Sequence, residues 1–231
     1  MSFAERLAAL GVRLATRRIA PGDEAAFSDP SEPLARRRAS GAARIAARSA
    51  LAALGGPVDA PLPRSPGRYP LWPAGFVGSL AHDEETAVAA AARTEAIAAL
   101  GVDIEPAEPL PDDIAEIVLT PSDRRACAAD AALSRAIFAA KEAVYKAINP
   151  LDGSALEYED IEVDLAGGLA RLRDGRALRL EFETTRTPSP LRGEGWGEGP
   201  PPLAASGERG LVRRWLVVAL AQPPAMRATR S

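Results

Sequence analysis

Asp103 and Glu105 are spaced to share a cation. In the run Leu100-Gly101-Val102-Asp103-Ile104-Glu105, a β-strand would send alternate side chains to opposite faces. Val102 and Ile104 then enter a core, while the two carboxylates stand together on the other face, about 6–7 Å apart by strand rise. Such a pair is either a solvated strand face or, with a cation between the acids, a set of ligands for a hard divalent ion. A second segment, Ser134–Ile148, offers the pair company. At about 100° per residue, Ile137, Val144 and Ile148 make an apolar stripe flanked by Phe138 and Tyr145. Lys141 falls inside that stripe, where it either marks function by breaking the binary pattern or snorkels at the stripe's edge. Glu142 and Lys146 lie four residues apart on a neighbouring face, which by itself makes an ion pair worth a few tenths of a kcal/mol. Set beside Asp103 and Glu105, Glu142 becomes a third carboxylate with two lysines adjacent. Three acids for a metal and two cations for anions would suit a magnesium-bound diphosphate.

Positioning those side chains takes a strand and a helix, and the rest of the chain reads as their scaffold. Residues 2–10 predict a short helix ended at Gly11, with Phe3, Leu7 and Leu10 inward. A strand follows over 12–19, then an acidic, proline-interrupted loop over 23–33. Residues 32–54 predict a long helix stopped by Gly55-Gly56, with Leu34, Ile45, Leu51 and Leu54 on its buried side. Arg37, Arg44 and Arg48 share one stripe of it, either a solvated basic face or an anion site. A proline-rich connection over 57–73 carries Arg64 and Arg68. Two strands, 76–82 and 86–92, are joined by the acidic turn Asp83-Glu84-Glu85. After Glu105 a polar loop runs through Asp113, and Thr120-Pro121-Ser122-Asp123 is a helix start with Thr as cap, Pro at the first position and an acid at the third. The Lys141 helix should end near Asn149-Pro150. Residues 157–165, 169–173 and 177–184 predict antiparallel strands with turns at Gly167-Gly168 and Asp174-Gly175, and 211–221 a final buried strand. The Gly- and Pro-rich residues 185–210 lack periodicity and predict a disordered insertion; 223–231 predict a frayed end. The fold class is α+β.

Composition narrows the function classes. Charged residues make up 26% of the 231, with a net charge of −3, so no nucleic-acid partner is implied. The single cysteine, Cys127, excludes an internal disulfide framework and any Cys/His metal motif, and predicts a small buried hydrophobe. There is no signal-like N-terminus and no apolar run long enough to enter a membrane. A cytoplasmic monomer is the expectation.

Taken together, Gly101-Val102-Asp103-Ile104-Glu105 and Phe138-Ala139-Ala140-Lys141-Glu142-Ala143-Val144-Tyr145-Lys146 resemble the motifs of the 4'-phosphopantetheinyl transferases, closest to the enterobactin-synthase component D type. The resemblance extends to Pro70–His82 and to the arginine-rich helix before it, in the family's order, over about residues 30–160. It implies two similar α+β halves, 1–100 and 101–231, with the site in the cleft between them. It implies coenzyme A contacts at Arg36, Arg44, Arg68, Ala81, His82, Asp103, Lys141, Glu142, Lys146 and Leu156. Geometry and resemblance agree on Arg44 for the 3'-phosphate. Ala81 departs from the family's usual serine and removes one hydroxyl donor, and Ala39-Ser40 stand where the family has Glu-Phe. The resemblance also implies Mg2+ on Asp103, Glu105 and Glu142, and Glu142 and Lys146 as catalytic groups. The implied reaction moves 4'-phosphopantetheine from coenzyme A to a serine of an apo acyl, peptidyl or aryl carrier protein, releasing adenosine 3',5'-bisphosphate, in siderophore, nonribosomal peptide or polyketide synthesis. The same acids would also serve a metal-dependent phosphohydrolase, and the altered motif a non-catalytic coenzyme A-binding relative.

Overall fold

Side-chain size along two strands decides how the layers stack. The structure, a computed structural model, describes residues 1–27, 29–153, 155–188 and 211–223, without the side chains of 186–188 and 211. Strands β1 (Val12–Arg18), β2 (Phe76–His82) and β3 (Thr86–Arg93) form a three-stranded antiparallel sheet in the order β1-β3-β2. β3 is almost all alanine. Ala87 and Ala89 face helix α2 (Leu34–Ala52), while Val88, Ala90 and Ala92 face the other way. The helix answers with Ala42, Ala43, Ala46 and Ala47, so backbone meets backbone at close range. The leucine-based face predicted from the sequence is corrected here: Leu34 is exposed, and alanines with Leu51 make the buried side. Gly41 serves the same closeness, since a Cβ there would lie 1.8 Å from the Asp23 carbonyl oxygen in the 3-10 turn Asp23–Ala26.

The second sheet has the order β4-β8-β7-β6-β5, antiparallel throughout, from β4 (Ala99–Pro106), β5 (Ile161–Asp164), β6 (Leu169–Leu172), β7 (Ala177–Pro188) and β8 (Leu211–Ala221). Leu100, Val102 and Ile104 of β4 with Leu216, Val218 and Leu220 of β8 join Val88, Ala90 and Ala92 in one core shared by both sheets. Helix α1 (Phe3–Ala9), closed by a Ser2–Glu5 capping box, adds Phe3 and Leu7. On the outer face, Ala99, Val217 and Ala219 pack against helix α5 (Leu133–Asp152). The fold is α+β, each sheet backed by one long helix.

Several boundaries differ from the sequence expectations for physical reasons. Residues 112–118 form helix α3 where the sequence predicts loop through Asp113, since the acids Asp112 and Asp113 suit a first helical turn. α5 runs through Pro150 to a left-handed Gly153 cap, because a proline in the last turn sacrifices only one hydrogen bond. Residues 158–160 are a 3-10 turn rather than strand. Of the expected insertion, 185–188 continue β7 and 189–210 lie outside the described residues; residues 224–231 of the expected frayed end also lie outside them.

Candidate active site

β4 and α5 touch backbone to backbone at Gly101. A Cβ built there would sit 1.8 Å from the Ala143 carbonyl oxygen and 2.8 Å from the Ala147 amide nitrogen, so only glycine lets the helix lie this close. Ala143 and Ala147 directly follow Glu142 and Lys146. The contact at Gly101 therefore carries both functional residues toward Asp103. Lys146 Nζ donates to Asp103 Oδ1 at 2.5 Å. Asp103 is 5% exposed, and its other oxygen, Oδ2, has no hydrogen-bond partner among the described residues. Arg135, in the first turn of α5, donates from Nη1 to Glu105 Oε2 at 3.2 Å. The Tyr158 hydroxyl donates to Glu142 Oε1 at 2.8 Å.

The charges here are unbalanced toward the acids. Burial pushes the Asp103 carboxyl up against the pull of Lys146, and Glu142 adds to the rise. Burial and then the Asp103 charge push Glu105 up to about 7, with Arg135 opposing. Burial by itself would lower the Lys146 ammonium; the acids, Asp103 first, more than reverse it and hold it protonated. Burial and then Glu142 push the Tyr158 phenol up, which keeps it a donor.

Among the described residues no three His, Cys, Asp or Glu side chains converge as a ready-made metal-ligand set. Asp103, Glu105 and Glu142 are instead each held by a different donor. Their chemistry fits a hard divalent cation all the same: oxygen donors only, and one buried carboxylate oxygen left orphaned. A cation would take the places of the Lys146 and Arg135 groups on these carboxylates.

His82 links this cluster to the arginine helix. It lines a cavity of about 540 Å³ with Arg36 and Arg38, and also one of about 490 Å³ with Glu105, Arg135 and Arg214. Burial lowers the His82 imidazole, the Asp83 backbone hydrogen bond opposes, and Lys146 and Arg36 lower it further; cations from both halves of the chain act on this one ring. The acidic turn beside it is also explained. Arg214 of β8, 2% exposed, donates to Asp83 and, at 2.7 Å, to Glu85. Arg214 thereby pairs with two of the turn's three acids and pins the turn to the second sheet.

Other candidates lie elsewhere. Lys141 is corrected: its amine is 0% exposed and donates to Asp123 Oδ2 at 2.7 Å and to the Val118 and Tyr158 carbonyls at 2.9 Å each. It points away from Asp103, Glu105 and Glu142, and it neither snorkels nor stands free for a phosphate, its counter-ion being Asp123. Asp123 does cap its helix, α4 (Pro121–Ala126), through Thr120, as its spacing predicts. Arg44 is corrected in part. Its Nε and Nη1 donate to the Leu62 and Ser40 carbonyls and its guanidinium lies 4.0 Å from the Phe27 ring centroid. It lines a separate cavity of about 410 Å³ with Arg48 and Arg64, and burial brings it down to about 10. Arg68 is exposed, in a left-handed backbone conformation (φ 69°), and pairs with Glu32 at 3.1 Å. The Ala81 side chain faces the shared core, so the serine hydroxyl it lacks would have pointed into apolar packing. Leu156 packs against the α5 core. Cys127 is free and half-buried.

Sequence reasoning passed over Arg135, Tyr158 and Arg214. Arg214 left a weak signal, as one of two adjacent arginines in a strand that is otherwise apolar; the other two act through contacts 16 to 30 residues away in sequence.

Comparison with known proteins identifies the family. Residues 24–92 match the 4'-phosphopantetheinyl transferase N-terminal domain, and residues 99–192 the 4'-phosphopantetheinyl transferase superfamily. The chain is 36% identical over 188 residues to the 4'-phosphopantetheinyl transferase PptT of Mycobacterium tuberculosis, covering 76% of each chain. It is 43% identical over 128 residues to Svp of Streptomyces mobaraensis, covering 52% of this chain and 51% of that one. To Npt of Nocardia iowensis it is 39% identical over 131 residues, covering 55% and 59%. The matches thus span about half the length of two of these relatives and three quarters of the third. The chain belongs to the 4'-phosphopantetheinyl transferase superfamily.

Proposed function

We propose that this chain, acting as a monomer, transfers 4'-phosphopantetheine from coenzyme A to a serine hydroxyl of an apo carrier protein. The observation that carries the reading is the position of His82, a wall common to a cavity lined by Arg36 and Arg38 and to one lined by Glu105 and Arg135. A molecule with phosphates at one end and a reacting diphosphate at the other suits such a pair of joined cavities. Arg36 and His82 would hold coenzyme A phosphate, and Asp103, Glu105 and Glu142 would hold Mg2+, which when bound neutralises charge developing on the diphosphate.

The chain's own residues then orient and move a proton. The serine oxygen bonds to the phosphorus that carries pantetheine, and the bond from that phosphorus to the bridging oxygen breaks. The electron pair leaves with adenosine 3',5'-bisphosphate, whose negative charge Lys146 faces once it turns from Asp103. Glu142 takes the serine proton. Positioning and charge neutralisation carry most of the rate in such a transfer. The carrier in this reading belongs to siderophore, nonribosomal peptide or polyketide assembly, as the sequence resemblance implies.

The test is chromatographic. Adenosine 3',5'-bisphosphate should appear with Mg2+ and an apo carrier, and not with a carrier whose acceptor serine is alanine. Nucleotide released equally without any carrier would overturn the reading in favour of hydrolysis.

A further inference from the structure

The buried Lys141 is paired with Asp123 rather than with the acids of the site, and its amine also ends on the backbone of Tyr158, whose hydroxyl donates to Glu142. Lys141 Nζ holds the Tyr158 carbonyl at 2.9 Å, with Asp123 and Val118 completing its shell. The Tyr158 ring packs against Phe138, centroids 6.1 Å apart. Backbone and ring being fixed, the hydroxyl is delivered to Glu142 Oε1 at 2.8 Å. We propose that Tyr158 is a positioning residue for Glu142: its hydroxyl occupies Oε1 and leaves Oε2 as the oxygen that meets a divalent cation. The inference rests on the reading of Glu142 as a ligand given above.

The physical need for such a partner is plain. Glu142 sits on a helix with three rotatable bonds between backbone and carboxylate, whereas Asp103 and Glu105 are held by charged donors. Without a donor, Glu142 must lose that rotational freedom each time it ligates. An outer hydrogen bond to a ligating carboxylate commonly changes metal affinity or activity about 10- to 100-fold.

The test is a titration of Mn2+ into the full-length protein without coenzyme A, followed by the loss of the free-ion electron paramagnetic resonance signal. Tyr158→Phe keeps the ring and its packing and should weaken Mn2+ binding about tenfold or more, with an unchanged melting temperature. Replacing Tyr158 by 4-aminophenylalanine, which restores a donor at the same place, should recover affinity. In a Glu142→Gln background Tyr158→Phe should have no further effect, because its influence passes through that carboxylate. Equal Mn2+ affinity in wild type and Tyr158→Phe overturns the inference alone. An additive loss in the Glu142→Gln background overturns it as well, by showing that Tyr158 acts elsewhere. No Mn2+ binding by the wild type would instead overturn the metal reading beneath it.

Discussion

Replacing Lys141 by methionine removes a cation from inside the protein and leaves its counter-ion behind. Lys141 is 0% exposed, and the Asp123 side chain is 1% exposed. Once the amine is gone, the Asp123 carboxylate keeps only the Thr120 amide and hydroxyl, and two buried carbonyls lose a donor. Methionine refills the apolar stem space along the Ile137–Val144 stripe, so no cavity enters the sum. Stripping one partner from a buried pair costs about 3–5 kcal/mol. For a chain of this size each kcal/mol lowers the melting temperature by about 2–4 °C, so the variant should melt roughly 6–20 °C below wild type. Asp123→Asn in the same chain removes the stranded charge while keeping an oxygen for the Thr120 cap. The double variant should therefore be more stable than the sum of the single losses, by about 1–3 kcal/mol. Urea unfolding at equilibrium measures all three. A Lys141→Met protein as stable as wild type, or more so, would refute the burial of this amine and with it the anchoring of Tyr158.

Gly101→Ala tests how the site is assembled: Ala143 must retreat about 1.6 Å to reach ordinary contact at 3.4 Å. A shift of that size at Glu142 and Lys146 should lower turnover about 100-fold or more, read by single-turnover kinetics, and near-wild-type turnover would show that α5 is not seated on β4. In metal-free protein the Glu105 carboxyl sits at about 7 instead of its ordinary 4.5. The folded state then binds more protons than the unfolded one between those values, so stability should fall as pH rises through that window, by up to about 1.4 kcal/mol per unit. Asp103, raised in the same direction, leaves some slope in Glu105→Gln, which should be visibly flatter in melts from pH 5 to 8; an identical slope would contradict the assignment. Arg36→Ala should weaken coenzyme A about tenfold, the scale of one charge-assisted contact, while Arg44→Ala should mainly lower the melting temperature. Calorimetry showing the reverse order would exchange their roles.

What the sequence disclosed depended on how local the cause was. The cap at Thr120, turns at Gly167 and Asp174, and the alternation that sends Val102 inward and Asp103 outward are all set within a few residues. They were legible. The direction of Lys141 was not, because three oxygens 17 to 23 residues away decide it. Nor was the alanine face of α2 legible, since alanine is a buried residue only where a partner strand is equally small. Arg44 misled for a related reason: spacing put it on the arginine stripe, but the stripe curves under the 57–73 connection, where Phe27 and Leu62 take the guanidinium. The acid pair and the Glu142–Lys146 helix were visible in sequence, yet the glycine that brings them together was just a letter in the same motif.

Intact-mass spectrometry of an apo carrier incubated with this protein, coenzyme A and Mg2+ tests the central claim most directly. The account predicts a gain of one phosphopantetheinyl group on the acceptor serine, abolished by Asp103→Ala in a protein that still folds. A carrier panel that gains no mass while the protein binds coenzyme A, or full transfer by Asp103→Ala, would contradict it.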